Sequence, residues 1–158
     1  MSIRIIRVGD DPALREIAKP VVNITPAIHK LLDDMAETMH NAEGIGLAAT
    51  QIGITKRLIV MDVGDGLVEL INPEIVEKSG TQSSMEGCLS LPGLRANVNR
   101  AATAKVRGLD RNGQPVEFEA TELLAICVQH EVDHLNGILF TDYVKPLDIV
   151  YEREQTRQ

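Results

Sequence analysis

The stretch QHEVDHLNG, residues 129–137, sets two histidines four residues apart with a glutamate beside the first. On a helix, four residues correspond to about 40° of azimuth and about 6 Å of rise, so His130 and His134 aim two imidazoles at one point. Glu131, about 100° round from His130, is a poor ligand but stands where it can touch a water bound to an ion. Leu123, Leu124, Ile126, Val128 and Leu135 make the same helix apolar nearly all round. Two histidines and two acids, Glu131 and Asp133, on such a buried element need partners. A metal ion answers that need better than an ordinary packing or surface role.

A third ligand has to come from elsewhere, and Cys88 and Cys127 are the two cysteines of the chain. Cys127 lies three residues before His130 and on nearly the same face. The ion should sit between the two imidazoles, about 7 Å further along the axis, and helix side chains tilt toward the N-terminus, away from it. Cys88, in EGCLSLPG, falls on what reads as an irregular segment between strands, where Gly87 lets the backbone approach an ion. It is the better third ligand. Two His and one Cys leave tetrahedral coordination one place short, which marks a catalytic site rather than a structural one. His29 and His40 are eleven residues apart, about 16 Å on one helix, and read as surface or capping residues. Asp133 reads equally as an orienter of a ligand and as the partner of a surface base.

With 158 residues and 44% apolar content, the chain fits one domain, residues 1–158, with a single sizeable core. A net charge of −7 argues against a nucleic-acid surface, and no apolar run spans a bilayer or forms a signal peptide. A cytoplasmic protein with no membrane partner is expected, with its cysteines as thiols or ligands. DPALREIAK reads as a first helix. TPAIHKLLDDMAETMHN reads as a second, capped by Thr25 with Pro26 at its first position, burying Ile28, Leu31, Leu32, Met35 and Met39. RLIVMDV, LVELINPEIVEK, AKVRGLD and PVEFEA are β-rich, with turns at Asp65-Gly66 and Asn112-Gly113. TELLAICVQHEVDHLNG then returns to helical spacing, capped by Thr121 at its start and halted by Asn136-Gly137, and a short helix is expected after Pro146. The class predicted is α+β, with antiparallel sheets packed around a long C-terminal metal-binding helix.

GIGLAATQ (44–51), EGCLS (86–90) and QHEVDH (129–134) together resemble the three motifs of the peptide deformylase family, in order and separation. DPALREIAKPV and VRGLDRNGQPVEFEA are similar as well, so the resemblance covers nearly the whole chain and points to the bacterial type. GIGLAA also fits a dinucleotide loop, but such a loop follows a strand and opens a helix, and this one does the reverse.

The resemblance implies hydrolysis of the formyl group of N-terminal formyl-methionine on nascent polypeptides, with metal-bound water as nucleophile and Glu131 as general base and acid. It assigns the oxyanion to the Gln51 amide and the Leu89 backbone N–H. It places Ile45, Leu123, Ile126 and Cys127 around the methionine side chain, Gly46 and Gly87 near the peptide backbone, and Arg95 toward the distal substrate. Ser84 departs from the apolar residue often found at its position in relatives. The ligands Cys88, His130 and His134 hold one divalent ion. Zinc suits them by geometry, ferrous iron is the ion associated with the family, and nickel or cobalt can substitute. The thiolate lowers the net charge of the centre and softens its acidity. Fifteen residues follow Tyr143, fewer than in relatives whose C-terminal helix is linked to ribosome association. A general metallopeptidase and a silent binder of formylated peptides are the competing readings. Glu131 and Gln51 argue against the second, since binding alone requires no base beside an open coordination position.

Overall fold

In the computed structural model, which describes residues 2–152, the main elements in chain order are α1 (Pro26–Asn41), β1 (Gly46–Ala48), β2 (Leu58–Met61), β3 (Val68–Ser79), β4 (Gln82–Cys88), β5 (Leu91–Arg100), β6 (Thr103–Leu109), β7 (Pro115–Thr121), α2 (Glu122–Leu135) and β8 (Val150–Tyr151). The pairings are antiparallel and build a five-stranded sheet, β1-β2-β3-β6-β7, and a three-stranded sheet, β4-β5-β8. The α+β class and the packing around the C-terminal helix are as expected. No described helix is long and apolar enough to cross a membrane.

The apolar run Leu58–Met61 explains how the large sheet is covered. Successive strand residues face opposite ways. Leu58 and Val60 pack with Ile28, Leu32, Met35 and Met39 of α1, while Ile59 and Met61 pack in a cluster with Ala125, Val128 and Leu135 of α2. The strand is therefore buried on both faces, between the two helices. A third cluster joins Leu91, Ala96 and Val98 of β5 to Leu14, Leu139 and Phe140, which seats the small sheet beside the end of α2.

Helix α1 begins as its sequence predicts, with the Thr25 hydroxyl accepting from Ile28 N–H and Pro26 at the first position. Helix α2 begins differently. Thr121 is the N-cap residue but its side chain makes no capping bond; Glu122 enters with φ +51°, and the Gln82 amide donates to its carbonyl. At the other end Arg57 donates to the Leu135 carbonyl and to Asn136, placing a cation where the helix dipole favours one.

Three further expectations need correction. DPALREIAK forms only a 3₁₀ turn, Pro12–Arg15. Leu14 is its one buried residue, and the chain then extends because Ala18 N–H donates to the Leu135 carbonyl and Lys19 N–H to that of Thr55. Pro20 also disfavours helical backbone at Lys19. After Pro146 there is one 3₁₀ turn, Pro146–Asp148, and then β8, which pairs with Leu94 and Arg95 of β5. Cys88 is not on an irregular segment: it ends β4, and a two-residue turn, Leu89 and Ser90, leads into β5. The tail beyond Glu152 in VYEREQTRQ lies outside the described residues.

Gly137 closes α2 at φ +73°, and a Cβ there would lie 2.7 Å from the Arg15 carbonyl oxygen. Gly137→Ala is expected to lower stability by about 1–3 kcal/mol, read as a shift in the urea midpoint. An unchanged midpoint would contradict this close approach.

Candidate metal centre

Alternation along β4 puts Glu86 and Cys88 on the same face, turned toward α2. The pairing register with β5 shifts between these two residues, and Gly87 between them backs onto Arg95, whose Cζ would stand 3.3 Å from a Cβ there. The result is that one short strand end meets both imidazoles. Cys88 Sγ lies 3.2 Å from His134 Nε2, and Glu86 Oε1 lies 2.9 Å from His130 Nδ1. Donor atoms of Cys88, His130 and His134 all fall within 4.8 Å of one another. The two rings meet edge-on with centroids 5.0 Å apart, and Phe140 stacks on His130 at 6.0 Å.

The two candidate imidazoles differ in protonation. Burial alone would push the Glu86 carboxyl up, but hydrogen bonds from His130 and Arg100 hold it below the usual range. As a carboxylate it can only accept, so His130 donates to it from Nδ1; burial would lower His130, but its bonds to Cys88 and Glu86 outweigh burial and raise it to about 10, so an arriving ion would have to displace the proton on Nε2. Burial, reinforced by the charges of His130 and Arg100, pushes His134 well below its ordinary value and keeps it neutral. One sulfur and two imidazole nitrogens, with no carboxylate in the set, match the donors of a transition-metal or zinc site with an open fourth position.

Glu131 is buried, its Oε1 has no hydrogen-bond partner, and burial pushes its carboxyl up to about 7 against the pull of His130 and Arg100. Gln51, on the 3₁₀ turn Ala49–Ile52 after β1, is 1% exposed. Its Oε1 accepts from Ala48 N–H, which fixes the amide orientation and sends Nε2 to Ser90 Oγ at 3.0 Å and to Cys88 Sγ at 3.6 Å. Thr50 on the same turn donates to the His134 carbonyl, tying the turn to α2.

A cleft of about 520 Å³ opens over this cluster. His130, Glu131, Gln51, Cys88 and Leu89 line it, as do Ile45 and Gly46 from the start of β1. Leu123, Ile126 and Cys127 contribute one wall from α2, and Ser84, Gly87 and Arg95 another from the small sheet. His134 lies beneath the floor, almost fully buried. The structure thus brings every candidate site residue to one place. Cys127 stays out of the ligand set: its thiol, pushed well above its ordinary value by burial, donates to the Ile45 carbonyl at 3.4 Å. His40 pairs with Asp62 and His29 with the Arg111 carbonyl, both away from the cluster.

The sequence reading did not single out Glu86, Ser90 or Arg100. Glu86 stands two residues before Cys88, and strand alternation would have placed it on the same face had the segment been read as a strand. Arg100 carried no signal, being one of several basic residues near strand ends. Asp133 takes the first of its two readings only indirectly, since its partner Arg100 is a buried base that also holds Glu86.

A family profile described as polypeptide deformylase matches residues 3–149. The chain is 58% identical over 144 residues to a peptide deformylase from Alkaliphilus metalliredigens, covering 91% of this chain and 98% of that one. The chain belongs to the peptide deformylase family. Among solved deformylases, one from Legionella pneumophila is similar at TM-score 0.90 and 45% identity, covering 93% of this chain and 89% of that one. Another, from Synechococcus elongatus in complex with actinonin, gives 0.89 and 42%, covering 92% and 81%. Peptide deformylases are metal-dependent hydrolases of formylated nascent peptides and use a single metal ion, for which Cys88, His130 and His134 form the candidate site here.

Gly46 gives this deformylase site its closest tolerance. A Cβ there would overlap Glu131 Oε2 and sit 2.8 Å from Cys127 Sγ. Gly46→Ala is expected to displace the Glu131 carboxylate and cost about 10²-fold in kcat while bound metal is retained. Wild-type turnover by this variant would show that Glu131 has room to move.

Proposed function

We propose that residues 1–158 act as one catalytic domain in the cytoplasm, hydrolysing the formyl amide at the N-terminal methionine of nascent chains. The observation that supports this most strongly is the partnerless Oε1 of buried Glu131 beside the Cys88, His130 and His134 donors, with the Gln51 amide held across the same cleft. A pure binding site has no use for a buried carboxylate oxygen that no protein group engages.

Cys88, His130 and His134 hold the ion, which when bound supplies Lewis acidity that polarises the formyl group and makes water acidic enough to attack near neutral pH. Glu131 accepts the proton of the attacking water at Oε1 and delivers it to the amine nitrogen as the C–N bond breaks, giving formate and a free N-terminus. The formyl oxygen becomes negative as the new C–O bond forms. Gln51 Nε2 and the Leu89 N–H donate to it: Gln51, held by its bond from Ala48, gives up its long 3.6 Å contact with Cys88 Sγ for the formyl oxygen and keeps Ser90, and Leu89 is set by the turn that follows Cys88. Ile45, Leu123, Ile126 and Cys127 offer apolar wall to an unbranched thioether side chain. Gly46 and Gly87 admit the peptide backbone, and Arg95 faces the residues further along. The small Ser84 leaves that wall broader than an apolar residue would.

We assign ferrous iron as the ion in the cell, with zinc, nickel and cobalt able to replace it. A thiolate on ferrous iron is open to oxidation. Anaerobically purified enzyme should therefore contain iron and lose activity in air, whereas nickel-loaded enzyme should keep it.

Glu131→Gln preserves the shape of the base but not its proton affinity. It is expected to retain one equivalent of metal and lose about 10²–10⁴-fold in kcat on a formyl-Met tripeptide. Metal lost together with activity would reassign Glu131 as a ligand. Wild-type enzyme should leave the acetylated tripeptide intact, and cleavage of acetylated or internal amide bonds at comparable rates would favour a general metallopeptidase.

A further inference from the structure

His130 begins a chain of contacts that leaves the cleft and ends at a half-exposed tyrosine. Glu86 Oε1 accepts from both His130 Nδ1 and Arg100 Nη2, each at 2.9 Å, and Glu86 Oε2 accepts from Arg100 Nε at 2.5 Å. The remaining arm of the guanidinium, Nη1, donates to Asp133 Oδ2 at 2.9 Å. That same oxygen accepts the Tyr143 hydroxyl at 2.7 Å, and the Tyr143 ring covers Arg100 with its centroid 5.2 Å from Cζ. Asp133 and His130 are three residues apart on α2, so the contacts close a ring from the helix, through β4 and β5, back to the helix.

The ring has one cation between two carboxylates. Asp133 keeps Arg100 from swinging freely about Glu86, because Asp133 is fixed to the helix that carries His130. Tyr143 acts on both members of this pair. Its hydroxyl fixes the Asp133 carboxylate, and its ring shields a guanidinium whose side chain is 4% exposed, in surroundings where charge pairs are strongest. Burial and the bond to Asp133 push the phenol up to about 12, so it remains a donor across the neutral range. Tyr143 is not among the residues that line the cleft.

We propose that Tyr143 is a positioning residue for the metal centre: through Asp133 and Arg100 it holds Glu86 on His130 Nδ1, and so fixes the tautomer and ring angle with which His130 meets the ion. This rests on Cys88, His130 and His134 being the ligands. Orienting partners of metal-bound histidines commonly contribute 10- to 100-fold to metal affinity, and Tyr143, one contact further out than Glu86, belongs at the lower end.

The test uses nickel-loaded enzyme and the rate at which a chelator removes the metal. Tyr143→Phe keeps the ring and deletes the hydroxyl; it is expected to release nickel about tenfold faster, with KM for a formyl-Met tripeptide unchanged. Arg100→Lys cannot bridge both carboxylates in the same way and should also release faster. The double variant should release no faster than Arg100→Lys alone, because the tyrosine acts through the arginine. Unchanged release from Tyr143→Phe, or losses that multiply in the double variant, would overturn the proposal. Should Arg100→Lys fail to fold, Asp133→Asn takes its place in the same comparison. A wild-type chain that retains no nickel would instead remove the ligand assignment itself, so the two failures are distinguishable.

Discussion

The rest of the site depends on the approach of one strand end to one helix face. Paired imidazoles on α2 are only a bidentate clamp until β4 delivers Cys88 Sγ to within 3.2 Å of His134 Nε2. The same strand delivers Glu86 to the far side of His130. Because residues two apart on a strand share a face, a single docking event supplies both a candidate ligand and the carboxylate bonded to the ring of another. The cost is the burial of several polar groups near the end of an apolar helix, and the structure meets it with specific partners for Glu86, Arg100 and Gln129. Glu131 Oε1 and His134 Nδ1 are left without a protein partner, both of them at the candidate centre.

The scaffold makes this docking rigid. Strand β2 is covered by α1 on one face and α2 on the other, so α2 cannot rotate without disturbing the larger core. Gln51 and Thr50 belong to a turn tied to the His134 carbonyl, while Ser90 and Gln51 tie that turn to the β4-β5 hairpin. The cleft is therefore bounded by three segments that are distant in sequence yet mutually hydrogen-bonded. These bonds fix the Gln51 amide and the turn after Cys88 relative to the candidate ligands.

Much of this was legible in the chain itself. The four-residue spacing of His130 and His134, the tilt that disqualifies Cys127, and the cap at Thr25 all follow from helix geometry and appear as expected. Apolar runs such as Leu58–Met61 announced buried strands. What was not legible involved partners with no local signature. Glu86 looked like any acidic residue because QSSMEGC lacks the apolar alternation that marks a strand; β4 owes its form to pairing with β5. Arg100 acquires its role from two carboxylates, fourteen and thirty-three residues away. DPALREIAK carried helix-compatible residues, but backbone bonds from Ala18 and Lys19 to distant carbonyls override local propensity after one turn.

The most direct measurement of the central claim is X-ray absorption at the metal edge of the loaded enzyme. With Cys88 and the two imidazoles as ligands, the spectrum should fit one sulfur at roughly 2.3 Å and nitrogen or oxygen donors near roughly 2.0–2.1 Å for zinc, and Cys88→Asp should remove the sulfur shell. A first shell without sulfur, or one unaltered by that substitution, would contradict the account.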